Sequence, residues 1–440
     1  MSVRIQTEVP GPRSRALCAE ESTYLAPGIQ QISTLAGLAM AGGEGALLED
    51  VDGNRFIDWV AGIGVASIGH GHPALAEALF AQAGKIAATS FASPPRLELL
   101  RRVVEHSPDP SLDRVQLYSS GAEAVESALR LARAATGHSE VVGFWGGFHG
   151  KTHGVLGLCG SEFKHGQLPL LPGQHLAPYA DCRRCALRKE PSTCQLACVD
   201  FLRDSIRLST ANRIAAILVE PIQGTAGNVL PHPDFLPALK QVARDHSALL
   251  IVDEMITGFG RTGSLWASAA ARVVPDVVIF GKGVAAGFPM SGLITRAELA
   301  AARPWSEPSH SSSSFGGSPL ACAAANATTR IIIEENLSEH ARIVGARLQA
   351  GLLQLSERFP CVQAVRGRGL LLGFDLMDGC TLWPKERCMA LFRACLSRGL
   401  LTMAYTPKVR INPPLVLTEA QVDESLAILA AALETVQSLR

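Results

Sequence analysis

Apolar positions change period along the chain in a regular way. Leu47–Asp58 alternates apolar and polar residues about an Asp52-Gly53 pair, the mark of a hairpin. From about Pro73, short apolar runs at Val115–Tyr118, Glu140–Phe144, Ile214–Val219, Ala248–Val252 and Val277–Phe280 alternate with segments of helical spacing. One such segment, Ala122–Ala135, sets Val125, Leu129 and Ala132 on one face and is closed by Gly137. This alternation predicts an α/β fold with a mostly parallel sheet. After a Ser- and Gly-rich stretch at 309–317, helical patterns follow over Pro319–Glu335, Ala341–Phe359 and Glu419–Leu439. With a strand-like Gly369–Leu376 among them, they predict a smaller α+β unit. The expected division is an N-terminal segment, 1–58, packing with the small domain, a large domain, 59–317, and a C-terminal small domain, 318–440.

Composition supports two domains, since 440 residues exceed what one hydrophobic core usually holds. Hydrophobic residues make up 47% and charged residues 18%, as in a large, well-buried enzyme. Lys plus Arg and Asp plus Glu are both 40, so no basic field exists to attract nucleic acid or an anionic membrane. The N-terminal stretch Met1–Tyr24 lacks the apolar core of a secretory signal, and no apolar run is long enough to span a bilayer. A cytoplasmic location is expected. Most of the eleven cysteines, such as Cys322, lie in apolar segments and read as small buried hydrophobes of a reduced protein.

Four chemical features each follow a candidate strand, where open α/β sheets bind their ligands. Ser119-Ser120-Gly121-Ala122-Glu123 opens a helix, whose first N–H groups form an anion site, or else is a plain serine-capped turn. In Gly146-Gly147-Phe148-His149-Gly150-Lys151, a ring between glycines can lie against a planar ligand, or the loop is simply apolar with a structural histidine. Asp253-Glu254 ends an apolar strand. Its carboxylate can meet a pyridine nitrogen, bind a metal or cap a helix. Lys282, between Gly281 and Gly283 after Val277–Phe280, is an amine suited to Schiff-base chemistry if buried, or otherwise an exposed turn lysine.

Taken in order, these features and the run Asp253-Glu254-Met255-Ile256-Thr257-Gly258-Phe259-Gly260-Arg261-Thr262-Gly263 resemble class III aminotransferases. These form the ornithine, 4-aminobutyrate and ω-amino-acid branch of fold-type I pyridoxal-phosphate enzymes. Glu220-Pro221-Ile222-Gln223-Gly224 and Ser314-Phe315-Gly316-Gly317 fit the same pattern, which runs from about Gly28 to the C-terminus. The resemblance implies that Lys282 carries pyridoxal 5'-phosphate as a Schiff base and later acts as the general base. Asp253 would pair with the ring nitrogen, Phe148 would stack on one ring face beside His149, and Ile256 would lie near the other. Ser120, Gly121 and Ala122 would hold the phosphate, with Glu220 beside the pocket. Ser314 would reach the phosphate from a neighbouring subunit, which implies a homodimer with shared active sites. Arg410 matches the arginine that grips a substrate carboxylate, and Ile63, Lys151 and Thr225 fall at substrate-facing positions.

Three departures bear on specificity. Ala122 stands where Ser or Thr is common, Thr225 where 4-aminobutyrate and ornithine enzymes carry a glutamate, and Lys151 where the 4-aminobutyrate enzyme has an arginine. The expected reaction is transfer of an amino group between an amino acid or ω-amine and a 2-oxo acid. An amino-acid racemase or epimerase on the same scaffold is the alternative, with decarboxylation more distant.

One segment lies outside that pattern. Cys182, Cys185, Cys194 and Cys198 fall within an insertion at about 179–200. Four soft ligands at this spacing suggest zinc or an iron–sulfur cluster, or else free or disulfide-paired thiols in a surface loop. Arg183, Arg184, Arg188 and Lys189 are expected to lower the thiol pKa values.

Overall fold

The computed structural model describes residues 2–437, which divide into two compact units. One unit takes in residues up to Ala76, Arg261–Gly263 and Ile331 onward, and the other Glu77–Gly260 and Ser264–Arg330.

The second unit is built on a seven-stranded sheet. Its order is Arg114–Tyr118, Ser291–Thr295, Val277–Phe280, Leu249–Asp253, Ile214–Val219, Glu140–Phe144 and Gln174–Ala177. Ser291–Thr295 runs antiparallel to both neighbours and all other pairs are parallel, giving the mixed, mostly parallel sheet expected of an α/β enzyme. Every residue of Ile214–Val219, Leu249–Asp253 and Val277–Phe280 is buried, because helices cover both faces. Successive side chains serve opposite sides. Ile217, Val219, Leu250 and Val252 pack with Phe235, Leu239 and Leu202. Leu218, Ile251 and Ile279 pack with Val125, Leu129 and Ala132 of the helix Gly121–Thr136. Burying each such side chain stabilises the fold by roughly 1.5–3 kcal/mol.

The strands predicted at Glu140–Phe144, Ile214–Val219 and Val277–Phe280 form with those bounds. Gly137 ends the helix Gly121–Thr136 in a left-handed conformation, φ 67°, and donates its N–H to Arg133 O at 3.0 Å.

In the first unit, Leu47–Asp50 and Arg55–Asp58 form the expected hairpin. Asp50 Oδ1 accepts from the N–H groups of Asp52 and Asn54, both at 2.9 Å, and fixes the turn. A further sheet pairs Leu371–Asp378 with Val362–Arg368 on one side and Lys408–Ile411 on the other. The long helices are Leu337–Arg358, Lys385–Leu396 and Glu419–Gln437, and Leu439, the end expected for the last, lies outside the described residues. No helix among the described residues is long and apolar enough to cross a membrane.

Candidate active site

The strand ends of the second unit gather most of the residues singled out in the sequence. Asp253 is the last residue of its strand and pairs in register with Ile279, so Lys282, three residues on, leaves the carboxyl end of the adjacent parallel strand. Lys282 adopts φ 43°, a left-handed conformation that costs a non-glycine residue on the order of 1 kcal/mol.

Asp253 is 2% exposed, and its Oδ2 lies 2.8 Å from Nδ1 of the buried His149. Burial alone would lower the imidazole pKa. The hydrogen bond to Asp253 and the charges of Asp253 and Glu220 together outweigh it, and the pKa is raised. Glu220 is buried as well, and burial drives its pKa up. One of its carboxylate oxygens accepts from Phe148 N–H at 2.9 Å and the other from Gly224 N–H at 3.0 Å. The strand-end acids therefore hold the Gly146–Gly150 loop through both His149 and Phe148.

Phe148 is half-buried, its ring centroid 4.9 Å from that of Phe163. Ile256 is buried, and a Cβ on Gly224 would come within 3.1 Å of it.

The candidate anion site lies at the start of Gly121–Thr136. Ser120 caps that helix by accepting from Glu123 N–H at 3.3 Å, while Glu123 accepts from Ser119 N–H at 3.0 Å. This local box is why the chain turns here. It leaves the Gly121 and Ala122 N–H groups in the first turn, where four donors lack helical acceptors. Close backbone packing shapes the cradle. A Cβ on Gly121 would meet Met255 Cε at 3.0 Å, and one on Gly150, at φ 133°, would meet Ala122 Cβ at 2.6 Å. Ser314 is exposed, next to Phe315 at 66% exposure.

An anion cradle, a buried acid backed by histidine and a strand-end lysine together fit a phosphorylated pyridine aldehyde. The class III aminotransferase family model matches residues 31–433. The chain belongs to the class III aminotransferases. Among relatives, it is 37% identical over 395 residues to the acetylornithine aminotransferase of Methanopyrus kandleri, covering 89% of this chain and 93% of that one. It is 33% identical over 445 residues to the alanine/serine racemase of Pyrococcus horikoshii, covering 98% and 92%. Among solved structures, the pyridoxal-phosphate-bound amine transaminase of an uncultivated Pseudomonas species superposes with a TM-score of 0.87 at 30% identity, covering 94% and 98%. As a class III aminotransferase this chain is a pyridoxal-phosphate-dependent transaminase of fold-type I.

Two expected substrate residues lie in the first unit of the aminotransferase. Ile63 sits in a left-handed turn, with φ 49°, 62°, 69° and 75° at Ala61, Gly62, Ile63 and Gly64. Asp58 Oδ1 secures that turn by accepting from the Val60 and Ala61 N–H groups at 2.7 and 2.9 Å. Arg410 lies in the strand Lys408–Ile411 and is hydrogen-bonded to the buried Tyr405 phenol. In the second unit, Lys151 is exposed with Nζ 5.9 Å from the Phe163 ring centroid, and Thr225 is half-buried. Nothing in the local sequence marks Phe163 or Tyr405 as partners, because both contacts depend on tertiary packing.

The cysteine-rich insertion departs from expectation. Cys182, Cys185, Cys194 and Cys198 are all half-buried. Yet no three His, Cys, Asp or Glu side chains among the described residues are grouped to hold a metal ion. At Cys182 and Cys198 the thiol pKa values also move the other way. Burial pushes Cys198 up to about 11. At Cys182, burial, Cys194, Cys185 and Asp181 together outweigh Arg183. With no such grouping among the described residues, the assignment of zinc or an iron–sulfur cluster to these cysteines is not supported.

Proposed function

We propose that this class III aminotransferase moves an amino group between an amino acid or ω-amine and a 2-oxo acid, with Lys282 carrying the cofactor as a Schiff base. The observation that carries this reading is the buried Asp253–His149 pair at 2.8 Å, one strand away from Lys282. Pyridoxal phosphate, when bound, supplies an aldehyde that captures amines and a ring that accepts electron density from the substrate Cα. Gly121 and Ala122 N–H groups would hold the phosphate, with Ser120 fixing their turn and Ser314 added by a second subunit. Asp253 would keep a proton on the ring nitrogen, and His149 holds that carboxylate in place. Phe148 and Ile256 would confine the ring, and the carboxyl of Glu220 would lie beside it. Released by the incoming amine, the Lys282 Nζ would take the proton from Cα and return it to the carbon on the far side of the shared nitrogen. Arg410 would grip the substrate carboxylate, with Ile63, Lys151 and Thr225 shaping the rest of the pocket.

We place this chemistry in a cytoplasmic homodimer. Support comes from the apolar surface of the second unit, where Phe80, Phe91 and Phe315 are 84%, 82% and 66% exposed.

The test is an absorbance titration of the cofactor-loaded enzyme with amino acids and ω-amines, no keto acid being present. Loss of the visible cofactor band with one equivalent of keto product is expected. A band that persists while the Cα hydrogen exchanges with solvent deuterium and the centre inverts would instead make the enzyme a racemase. The 33% identity to the Pyrococcus racemase and the presence of Thr225 give that reading its footing. Lys282→Ala should abolish turnover, and turnover retained would refute its role.

A further inference from the structure

We infer that Arg261 is a positioning residue for Arg410: its buried guanidinium closes the open end of the strand pair that carries Arg410. The inference rests on the reading of Arg410 as the substrate-carboxylate residue.

Leu371–Asp378 and Lys408–Ile411 pair antiparallel, with Gly373 opposite Arg410 and Leu372 opposite Ile411. Continuing that register brings Leu370 opposite Pro413. Proline has no N–H, so an ordinary exchange of backbone hydrogen bonds cannot extend the ladder to this rung. Arg261 supplies the missing donor. Its Nη1 donates to Leu370 O at 3.2 Å and also to Pro413 O. Leu370 N–H donates back to Arg261 O at 3.0 Å, and Asn412 N–H donates to Trp59 O at 2.9 Å. The two clamped carbonyls stand three residues before Gly373 and three after Arg410, so the clamp fixes the rung from which the Arg410 side chain departs.

Such an arrangement is costly. Arg261 is 2% exposed, and burial pulls its pKa down to about 9, with the charge of Asp58 opposing. Asp58 is the same carboxylate that secures the left-handed turn bearing Ile63. Arg261 and Asp58 thus offset each other while each holds backbone next to one proposed substrate residue. Lysine cannot replace the clamp, because the two N–H bonds of a planar guanidinium nitrogen diverge at a fixed angle and an ammonium rotates freely.

The experiment is the single-turnover half-reaction of loaded Arg261→Lys with the amino donor, against wild type and Arg410→Ala. Arg261→Lys should raise the apparent Kd of the amino acid about ten-fold, while the limiting rate changes less than about three-fold. In an Arg410→Ala background the same change should add no further loss, since it acts through Arg410. If Arg410→Ala leaves the apparent Kd unaltered, the reading of Arg410 itself fails. If Arg410→Ala weakens binding but Arg261→Lys lowers only the rate, changes neither constant, or adds in full to Arg410→Ala, the positioning role is overturned. Should Arg261→Lys not fold, Arg261→Gln keeps a planar NH2 donor on a shorter, uncharged side chain that cannot hold both carbonyls. A Kd rise of about three-fold with the rate held is expected of it, and no rise would equally overturn the inference.

Discussion

Glu140 opens a central strand with its carboxylate turned toward backbone donors. Ala211 N–H reaches both oxygens at 3.1 and 3.0 Å, Arg213 N–H reaches one at 3.2 Å, and His175 Nε2 stands 3.1 Å away. Burial alone would raise the pKa of this carboxyl, but the two backbone bonds and His175 together outweigh it and hold the pKa below the usual carboxylate value. A depressed folded-state pKa contributes stability that is complete above the unfolded value and is lost as pH falls through the folded one. Glu140→Gln should therefore destabilise the enzyme at neutral pH by about 1.5–3 kcal/mol, the range for hydrogen bonds to a charged group. Its melting curve should approach that of wild type as pH falls below the ordinary glutamate range and through the depressed carboxyl pKa. A gap that stays constant into acid would show that the side chain acts through packing instead. The same balance of burial against local partners accounts for Cys182 and Cys198. Four arginines and lysines near Cys182–Cys198 in sequence suggest low thiol pKa values, but charge spacing along the chain does not report burial, and burial dominates.

The helix Gly121–Thr136 shows how an element places chemistry. Its capping box uses Ser120, Glu123 and Ser119 N–H, all within five residues, so the turn is specified locally. Glu123→Ala should lower the thermal midpoint by the equivalent of about 1 kcal/mol, roughly 2 °C. The shift should be equal with and without cofactor, because the box fixes the turn and not the ligand. A loss confined to the loaded enzyme would mean that Glu123 touches the phosphate site directly. Elements of this kind were legible in the sequence. The expected Ala122–Ala135 differs from the observed helix by one residue at each end. The strands behind Asp253 and Lys282 stood out because their near-continuous apolar runs meet helices on both faces. Gln174–Ala177 and Ser291–Thr295 did not, since Gln-His-Leu-Ala and Ser-Gly-Leu-Ile-Thr carry too few apolar residues. Their strand state comes from sheet neighbours, and so does the antiparallel direction of the second. The Arg261 clamp was hidden for a related reason. It depends on a strand register that joins residues far apart in the chain.

At the scale of the whole molecule, the question is what covers the apolar surface. The helix Pro73–Ala83 buries none of its residues, although its sequence, Pro-Ala-Leu-Ala-Glu-Ala-Leu-Phe-Ala-Gln-Ala, is mostly apolar. Phe80 and Phe91 are each more than four-fifths exposed, which a monomer in water has no reason to tolerate. The proposed homodimer would cover this surface and would also account for Ser314, an exposed serine beside the exposed Phe315 and assigned by family resemblance to a neighbour's phosphate. Formal charge of zero removes the long-range repulsion that would oppose self-association. Replacing both Phe80 and Phe91 with glutamate should convert a dimer into monomers in sedimentation velocity. Each desolvated carboxylate would cost several kcal/mol at the interface. If Ser314 serves the partner, the monomer should also release pyridoxal phosphate more readily, and Ser314→Ala in the intact dimer should reproduce part of that weakening without changing the sedimentation. Monomers that keep full cofactor affinity would leave the dimer standing but remove the shared site. A double variant that still sediments as a dimer would place the interface elsewhere on the molecule.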